Sequence, residues 1–465
     1  MGVAGVPGTT TISTTTPALD PIIAEQEDLF LRRQPRSAAI GARARAVLAG
    51  GATSSWQIAQ PQAVWLSHGL GSKIYDVDGT EYVDLHGGYG VSLVGHAHPA
   101  IVRAVTERVA RGTHFAQPTE DALVVATELA RRFGLPLWRF GNSGTEATMD
   151  AVHLMRAATG RDLVIKVEGC YHGHHDSVEV SVLPEADEAG PPERPVSVPG
   201  NTGIPQAFVD LVAVVGFNDV AAVARVLDEN PGRVAGMIVE PVMMNAGIIP
   251  PDPGYLDAVR DLLHAHGALL AFDEVKTGLT VSPGGATAAY RVTPDIICLA
   301  KALGGGLPVA AIGGTEAVMG LISDGTYEQV GTFNGNPLSM AAARATLLEA
   351  LTPDAYARVE RLRARLHEQV TEVLRTYDLP WHVVTAGAKG CISFLDRPVR
   401  HLRDFHDIDE RLGHLHWLVQ HNGGVFLPPW GKVEQWLLSV QHTDEDVDRF
   451  VANVERLASL LVRED

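Results

Sequence analysis

The residues Ser143, Gly144 and Thr145 have types and spacing suited to holding a phosphate group. They follow a predicted strand over residues 137–140 and begin a predicted helix. Backbone N–H groups at a helix N-terminus have no partner within the helix, and the helix dipole adds partial positive charge there. The same tripeptide would also serve as an ordinary N-cap, so by itself it leaves both interpretations open.

Asp273 and Lys301 each end an apolar run that is predicted to be a buried strand. A carboxylate buried without a partner is costly, and a cation such as a protonated pyridine nitrogen would compensate it. Lys301 precedes glycines 304–306, which let backbone and ligand approach closely, and a pocket lysine can have a lowered pKa and attack carbonyl groups. A phosphate site, a buried acid and a pocket lysine together are what pyridoxal 5'-phosphate (PLP) requires.

Three other motifs are less complete. The string GNSGT over residues 141–145 lacks the second glycine of a nucleophile elbow. The run ALLAFDE over residues 268–274 resembles the acidic strand of a nucleotide hydrolase, but the chain has no phosphate loop of the form G-x-x-x-x-G-K-[ST]. His172, His174 and His175 are close together, yet no further ligand stands at a familiar spacing, so we predict no metal site.

Composition sets the class of protein that these residues belong to. The chain has 465 residues, 46% of them hydrophobic and 20% charged, which excludes disorder of the whole chain. The net charge of −18 disfavours nucleic acid and anionic membranes as partners. Three cysteines cannot form a disulfide framework, and no basic residue precedes Arg32 as in a signal peptide, so we expect a cytoplasmic protein.

Hydrophobic patterning predicts an α/β architecture. Residues 73–85 alternate around Asp78 and Gly79 as in a hairpin. Apolar runs at residues 163–167, 211–217, 235–240, 268–274, 295–300 and 308–314 alternate with amphipathic stretches, as expected for a mostly parallel sheet between helices. We predict four parts, namely a mobile tail (1–35), the N-terminal part of a smaller α+β domain (36–98), a large α/β/α domain (99–345) and the C-terminal part of the smaller domain (346–465).

Longer strings give the chain a family resemblance. It resembles the class-III, fold-type I PLP-dependent aminotransferases, and most closely their glutamate-1-semialdehyde 2,1-aminomutase branch. The similarity runs from about residue 48 to the C-terminal helix. The strings that carry it are GNSGTEA (141–147), GRDLVIKVEGCYHGHHDS (160–177), VEPVMMNAGIIPP (239–251), DEVKTG (273–278), VTPDIICLAKALGGGLPVAAIGG (292–314) and GTFNGNPLSMAA (331–342).

The resemblance implies a role for each matching residue. Lys301 would form the Schiff base with PLP and move the substrate proton, with Lys276 as a weaker competitor for that role. Asp273 would pair with the pyridinium nitrogen and Tyr171 would stack on the ring. The remaining cofactor contacts implied are Ser143, Gly144, Thr145, His172, Glu240 behind the cofactor, and Thr332, which would reach the phosphate of a neighbouring subunit in a homodimer.

The expected substrate contacts depart from the family pattern. Gln57 stands where the aminomutase has an arginine that receives the substrate carboxylate, and Tyr89 stands where it has a tryptophan. Trp56 adjoins Gln57, and Glu434 matches a family acid. Arg400 or Lys432 could supply a substitute charge, although a surface role suits both better.

These departures favour an aminotransferase that moves an amino group from an amino donor to a keto or aldehyde acceptor. The alternatives are a glutamate-1-semialdehyde 2,1-aminomutase with a rearranged carboxylate site and, from a different class, a catalytically silent PLP-binding module. An aminotransferase must release one product and admit a second substrate, whereas an aminomutase must retain its intermediate. The loss of the arginine is easier to reconcile with the first requirement.

Overall fold

The computed structural model describes residues 19–429, 432 and 435–462. Its strands are β1 (Leu66–Leu70), β2 (Lys73–Asp76), β3 (Glu81–Asp84), β4 (Leu137–Gly141), β5 (Leu163–Val167), β6 (Val212–Val215), β7 (Val234–Val239), β8 (Leu269–Asp273), β9 (Ile296–Leu299), β10 (Ala310–Gly314), β11 (His382–Ala386), β12 (Lys389–Ser393), β13 (Val425–Phe426) and β14 (Trp436–Leu437).

The helices range from single turns to 24 residues. They are α1 (Leu19–Arg33), α2 (Pro35–Ala44), α3 (Gly87–Gly90), α4 (Pro99–Val109), α5 (Glu120–Phe133), α6 (Gly144–Thr159), α7 (Gln206–Val209), α8 (Val220–Glu229), α9 (Tyr255–Ala265), α10 (Gly285–Tyr290), α11 (Glu316–Ser323), α12 (Pro337–Ala345), α13 (Pro353–Thr376), α14 (Leu402–His406), α15 (Glu410–Asn422) and α16 (Asp444–Leu461). Three 3-10 turns span Ala49–Gly51, Ser55–Gln57 and Lys301–Gly304, and a π turn spans Thr346–Ala350.

A seven-stranded sheet forms the centre of the larger lobe, in the order β4-β10-β9-β8-β7-β5-β6. Strand β10 is antiparallel to both of its neighbours, and the other strands all run in one direction. Every residue of β5 and β7 is buried, because helices cover both faces of the sheet. The carboxyl ends of the six parallel strands therefore share one edge, which is where ligands bind in sheets of this kind.

The smaller lobe is assembled from both ends of the chain. Strands β1, β2 and β3 lie side by side in chain order, and β13 pairs with β3 in parallel. Residues 66–84 and 425–426 therefore share one sheet. A second sheet contains β11, β12 and β14. This arrangement confirms the predicted fold class, a large, mostly parallel α/β/α domain with a smaller α+β domain built from both termini.

The N-terminal segment is more ordered than its composition predicts. Residues 1–18 lie outside the described part, but Leu19–Arg33 forms helix α1, which packs against α15. Phe30 is fully buried, with its ring centroid 5.4 Å from that of Trp417 and 4.8 Å from that of His421. The prediction of a mobile tail through residue 35 is therefore wrong for residues 19–33, because apolar side chains spaced along α1 meet a hydrophobic surface supplied by the far end of the chain.

The Phe30→Ala substitution is expected to lower the free energy of unfolding by about 3–5 kcal/mol, because it removes a fully buried ring and leaves a cavity. The matched control is Leu31→Ala, since Leu31 is 43% exposed on the same helix and its truncation should have little effect. Thermal unfolding followed by calorimetry would check both variants. Equal unfolding temperatures for the two variants would contradict the proposed anchoring of α1.

Two further features of the chain bear on the site. Residues 184–195, predicted to be a surface loop, contain no helix or strand. Among the described helices, none has an apolar stretch long enough to cross a bilayer.

Candidate active site

A cavity of about 360 Å³ lies at the edge where the parallel strands end. Its walls come from the residues that directly follow β4, β7, β8 and β9, together with the segment after β5. The predicted site residues that line it are Trp56, Ser143, Gly144, Thr145, Tyr171, His172, Glu240, Asp273 and Lys301. Ser143 and Lys301, which are 158 positions apart in sequence, thus face one cavity, because parallel strands present their carboxyl ends to the same edge of the sheet.

The start of helix α6 forms one end of the cavity. Ser143 is the N-cap, and its hydroxyl accepts from the backbone N–H of Glu146 at 3.3 Å, while the Glu146 carboxylate accepts from the Ser143 N–H at 3.0 Å. The N–H groups of Gly144 and Thr145 have no acceptor within the described residues. The N-cap interpretation and the anion-binding interpretation are therefore both satisfied, because capping uses different N–H groups from those that face the cavity.

Asp273 lies at the end of β8 with only 4% of its surface exposed. Its Oδ1 accepts from the N–H of Val275 at 2.9 Å, and its Oδ2 lies 2.8 Å from Nδ1 of His172. A carboxylate can only accept, so His172 donates through Nδ1. The other ring nitrogen, Nε2, is buried and has no hydrogen-bond partner among the described residues.

Lys301 begins the 3-10 turn after β9 and has a φ of +48°, a strained value for a residue with a side chain. Such strain persists where the surrounding structure holds a residue for a function. Burial lowers the pKa of the Lys301 ammonium, while the charges of Asp273 and Glu240 act in the opposite direction. A lowered pKa increases the fraction of the neutral amine, which is the nucleophilic and basic form.

Glu240 connects several parts of the wall. Its Oε1 accepts from the N–H of Tyr171 at 2.9 Å and from Nδ2 of Asn245 at 2.7 Å. Its Oε2 accepts from the N–H of Met244 at 2.8 Å. The carboxylate thereby fixes the backbone that presents the ring of Tyr171 to the cavity.

A second cavity of about 550 Å³ adjoins the first, and the two share Trp56, Tyr171, Asn245 and Lys276 as walls. We call the first the cofactor cavity and the second the outer chamber. The Trp56 ring centroid lies 5.3 Å from that of Tyr89 and 5.2 Å from that of Tyr171. Tyr89 also donates its hydroxyl to the backbone oxygen of Trp56 at 2.8 Å. The predicted substrate contacts Trp56 and Tyr89 therefore stand where the chamber begins.

The structure does not bring every predicted site residue together. Gln57 lines neither cavity; it is exposed, and its Oε1 accepts from the Thr53 hydroxyl at 2.6 Å. Thr332 is exposed beside a separate surface cavity, with its backbone oxygen 2.7 Å from Nε2 of His114. Glu434 lies outside the described residues.

Sequence reasoning missed several chamber residues. Lys389, at the start of β12, is 3% exposed and lines the outer chamber. Lys276, considered from sequence only as a competitor of Lys301, lines both cavities. Gln435 donates to the backbone oxygens of Met244 and Gly247, and so closes the far wall. The one local signal was a lysine at the start of the apolar strand Lys389–Ser393, since charged residues are rarely buried without a purpose.

Comparison with known proteins places this site in a family. A family model described as aminotransferase class-III matches residues 57–454, most of the chain and all of the described cavity walls except Trp56. The chain belongs to the class-III aminotransferase family. As a member of this family it is a PLP-dependent enzyme, which confirms the predicted family, enzyme class and cofactor.

Similar proteins of this family carry the names of two different activities. The chain is 38% identical to the glutamate-1-semialdehyde 2,1-aminomutase 2 of Brevibacillus brevis, over 83% of this chain and 89% of the relative. It superposes on an omega-transaminase from Sphaerobacter thermophilus with a TM-score of 0.86 and 33% identity, over 92% of this chain and 99% of that one. It also superposes on a glutamate-1-semialdehyde-aminomutase from Pseudomonas aeruginosa PAO1 in complex with PMP, with a TM-score of 0.87 and 30% identity, over 96% and 98% of the two chains.

The residues of this class-III aminotransferase family member fit PLP. Two backbone N–H groups without acceptors face the cavity at the start of α6, which suits a phosphate. The cavity wall also holds the buried carboxylate of Asp273, kept in place by His172 and Val275, which suits a cationic ring nitrogen. Tyr171 supplies an aromatic ring to the cavity wall, and Lys301 supplies an amine with a lowered pKa.

Proposed function

We propose that this enzyme is an aminotransferase that moves an amino group from an amino donor to a keto or aldehyde acceptor. The observation that carries the proposal is Gln57, a neutral, exposed side chain bonded to Thr53 where the resemblance leads us to expect an arginine that holds the substrate.

In the proposed mechanism, Ser143, Gly144 and Thr145 hold the phosphate of PLP, and Asp273 holds a positive charge at the ring nitrogen. When bound, PLP supplies a carbonyl group that takes up amino groups and a ring that withdraws electrons. Nζ of Lys301 would hold the cofactor until the amino group of the donor displaces it, and the amine so freed would accept the proton from the substrate carbon that bears the amino group. Nζ of Lys301 would return this proton at a later stage of the transfer, so that the same residue serves as both base and acid.

The other residues position these groups. His172 holds the carboxylate of Asp273 through Nδ1, and Glu240 fixes the backbone at Tyr171. The ring of Tyr171, which lines both cavities, would contact the face of the cofactor ring. Trp56 and Tyr89 form the entrance on the substrate side.

We further propose that the active unit is a homodimer in which Thr332 contacts the phosphate in the neighbouring subunit. Thr332 is exposed between two large apolar side chains, Val330 at 80% and Phe333 at 58% exposure, as expected for a segment covered by a partner. A solution mass twice that of one chain, measured by light scattering, is the expected result, and a monomer would contradict it. Three free, buried cysteines support a cytoplasmic location, which cell fractionation would check.

The test of the proposed reaction is whether turnover needs one substrate or two. The PLP-loaded protein is incubated with a panel of amino donors, with and without a keto acid acceptor, and its visible spectrum and products are followed. We expect a donor to change the spectrum by itself and to give continuous turnover only when an acceptor is added.

The aminomutase alternative is favoured by the 38% identity to an enzyme of that name. It predicts that glutamate-1-semialdehyde alone is converted continuously, and this result would replace our proposal. Bound PLP that no donor or semialdehyde alters would instead identify the silent PLP-binding module.

A further inference from the structure

The inner wall of the outer chamber carries a buried cation without a partner. Lys389 is 3% exposed and lines the chamber, and its Nζ makes no hydrogen bond or ion pair within the described ranges 19–429, 432 and 435–462. Burying an ammonium without an anion or hydrogen-bond acceptor is costly. A protein that retains one in a cavity wall either keeps it neutral or provides it for an anionic ligand.

A second lysine faces the same space. Lys276 lines both cavities and donates one hydrogen from Nζ to the backbone oxygen of Met244 at 3.0 Å, which leaves two hydrogens for other partners. Burial lowers the pKa of Lys276 to about 8, and the positive charge of Lys301 adds to that effect. Burial lowers the pKa of Lys389 well below its ordinary value, and the charges of Lys276 and Lys301 lower it further.

The acidic groups nearby make no direct contact with this pair in the described residues, although the charge of Glu240 acts to raise the pKa of both lysines and that of Asp273 acts to raise the pKa of Lys276. Within the described residues, the Glu240 carboxylate accepts hydrogen bonds from Tyr171, Met244 and Asn245. The chamber's other carboxylates, Glu179, Glu185 and Glu188, form no ion pair with either lysine in the described structure. His86 also lines the chamber, and burial lowers its pKa to about 4, so it is neutral at physiological pH. The other titratable side chains of the wall are Tyr89 and Tyr171.

The cations considered from sequence lie elsewhere. Arg400 pairs with Asp252 on the surface, and Lys432 donates from Nζ to the backbone oxygen of His406 at 2.6 Å. Neither lines the cofactor cavity or the outer chamber. Lys276 and Lys389 are therefore the cationic side chains of the outer chamber among the described residues.

The pair also lies close to the reacting amine. Gly90 has a φ of +108°, and a Cβ at this position would lie 3.0 Å from Nζ of Lys389 and 3.6 Å from Cδ of Lys301. The side chains of Lys389 and Lys301 therefore both lie next to the space beside Gly90. An anion held by Lys389 would be a few carbon atoms from a group that reacts at Lys301.

We propose that Lys389 and Lys276 together receive a carboxylate of the amino substrate, so that the enzyme acts on amino acids in preference to simple amines. This assignment rests on the proposed aminotransferase function and replaces the arginine missing at Gln57 by a cationic pair on a different wall. Binding requires the protonated lysines, so affinity for a carboxylate falls as the pH rises through about 8, where Lys276 loses its proton.

The test measures binding of succinate, which has carboxylates but no amino group, to the PLP-loaded enzyme by titration calorimetry. The Lys389→Met and Lys276→Met substitutions are each expected to weaken succinate binding about 10-fold or more. Lys389→Arg, which keeps the charge, should retain more of the affinity than Lys389→Met. The matched control Lys432→Met removes a lysine outside both cavities and should leave affinity unchanged.

Equal succinate affinity in wild type and both methionine variants, or no succinate binding to wild type, would overturn the assignment. So would an affinity that rises with pH. PLP loading and the thermal unfolding midpoint of each variant identify any loss of binding caused by misfolding. If Lys389→Met misfolds, the test uses Lys389→Arg: succinate binding retained in this variant supports the assignment, and binding lost in a folded Lys389→Arg contradicts it.

A second measurement separates this inference from the proposed function. The reactions of 3-aminobutanoate and of sec-butylamine are compared in wild type and Lys389→Met. The two compounds differ in one group, a carboxylate in the amino acid and a methyl group in the amine. We expect the variant to lose about 10-fold or more of its kcat/KM for the amino acid and to keep its rate with the amine. Turnover of the amine with normal succinate binding in Lys389→Met would refute the carboxylate receptor and leave the aminotransferase proposal intact.

Discussion

The Lys301→Ala substitution is expected to reduce turnover by at least about 10³-fold while the protein still folds and takes up PLP. The substitution removes the amine that binds the cofactor and moves the substrate proton. The phosphate contacts at the start of α6 and the carboxylate of Asp273 remain, so the cofactor retains its noncovalent contacts. Turnover measured per PLP-loaded subunit would check the loss.

Covalent attachment gives a second readout for the same variant. Borohydride reduction followed by mass spectrometry should fix PLP to wild type at Lys301 and leave Lys301→Ala unlabelled. Lys276 is the competing amine, since it lines the same cavity and its pKa is lowered to about 8. Labelling of Lys276 in wild type, or full turnover in Lys301→Ala, would contradict the assignment of Lys301.

The Asp273→Asn substitution is expected to reduce turnover by about 10²–10³-fold with little change in shape. It removes the buried negative charge proposed to hold a cation at the ring nitrogen, while its side-chain oxygen can still accept from Val275 or His172. The electrostatic effect is large because the group is 4% exposed and poorly screened by water. Turnover and PLP affinity would both be measured, and we expect both to fall.

The neighbouring acid provides the control for Asp273. Glu274 is fully buried, but its carboxylate accepts from the N–H groups of Ala286 and Thr287 and does not line the cofactor cavity. Glu274→Gln should lower the unfolding temperature and leave turnover per folded, PLP-loaded subunit near that of wild type. Equal losses of turnover in both variants would show that the effect at Asp273 is structural.

Local sequence patterns predicted most of the elements that surround the site. The apolar run at residues 163–167 coincides with β5, and the run at 268–274 contains β8. The small residues after Ser143 begin α6 at the expected position. These predictions succeed because helix and strand periods, and the strong preference for serine at N-caps, depend on neighbours within a few residues.

Predictions that depended on distant partners were less complete. Helix α1 mixes apolar and charged residues, and its position is determined by contacts with α15 that no local pattern records. Trp436, from the short strand β14, is fully buried against Phe450 of α16, with ring centroids 5.3 Å apart. In both cases burial is decided by a surface from another part of the chain.

The sequence by itself determined the cofactor chemistry and its family, because phosphate, ring nitrogen and carbonyl each need a particular residue type, and the strings around Ser143, Asp273 and Lys301 carry those types in order. Only the tertiary structure decided which cationic side chains can bind a carboxylate of the substrate. It turned Gln57 toward Thr53 and brought Lys389, from a strand near the C-terminus, beside Lys276 and Lys301. Charges act through space, and which charges share a cavity depends on how the two lobes pack.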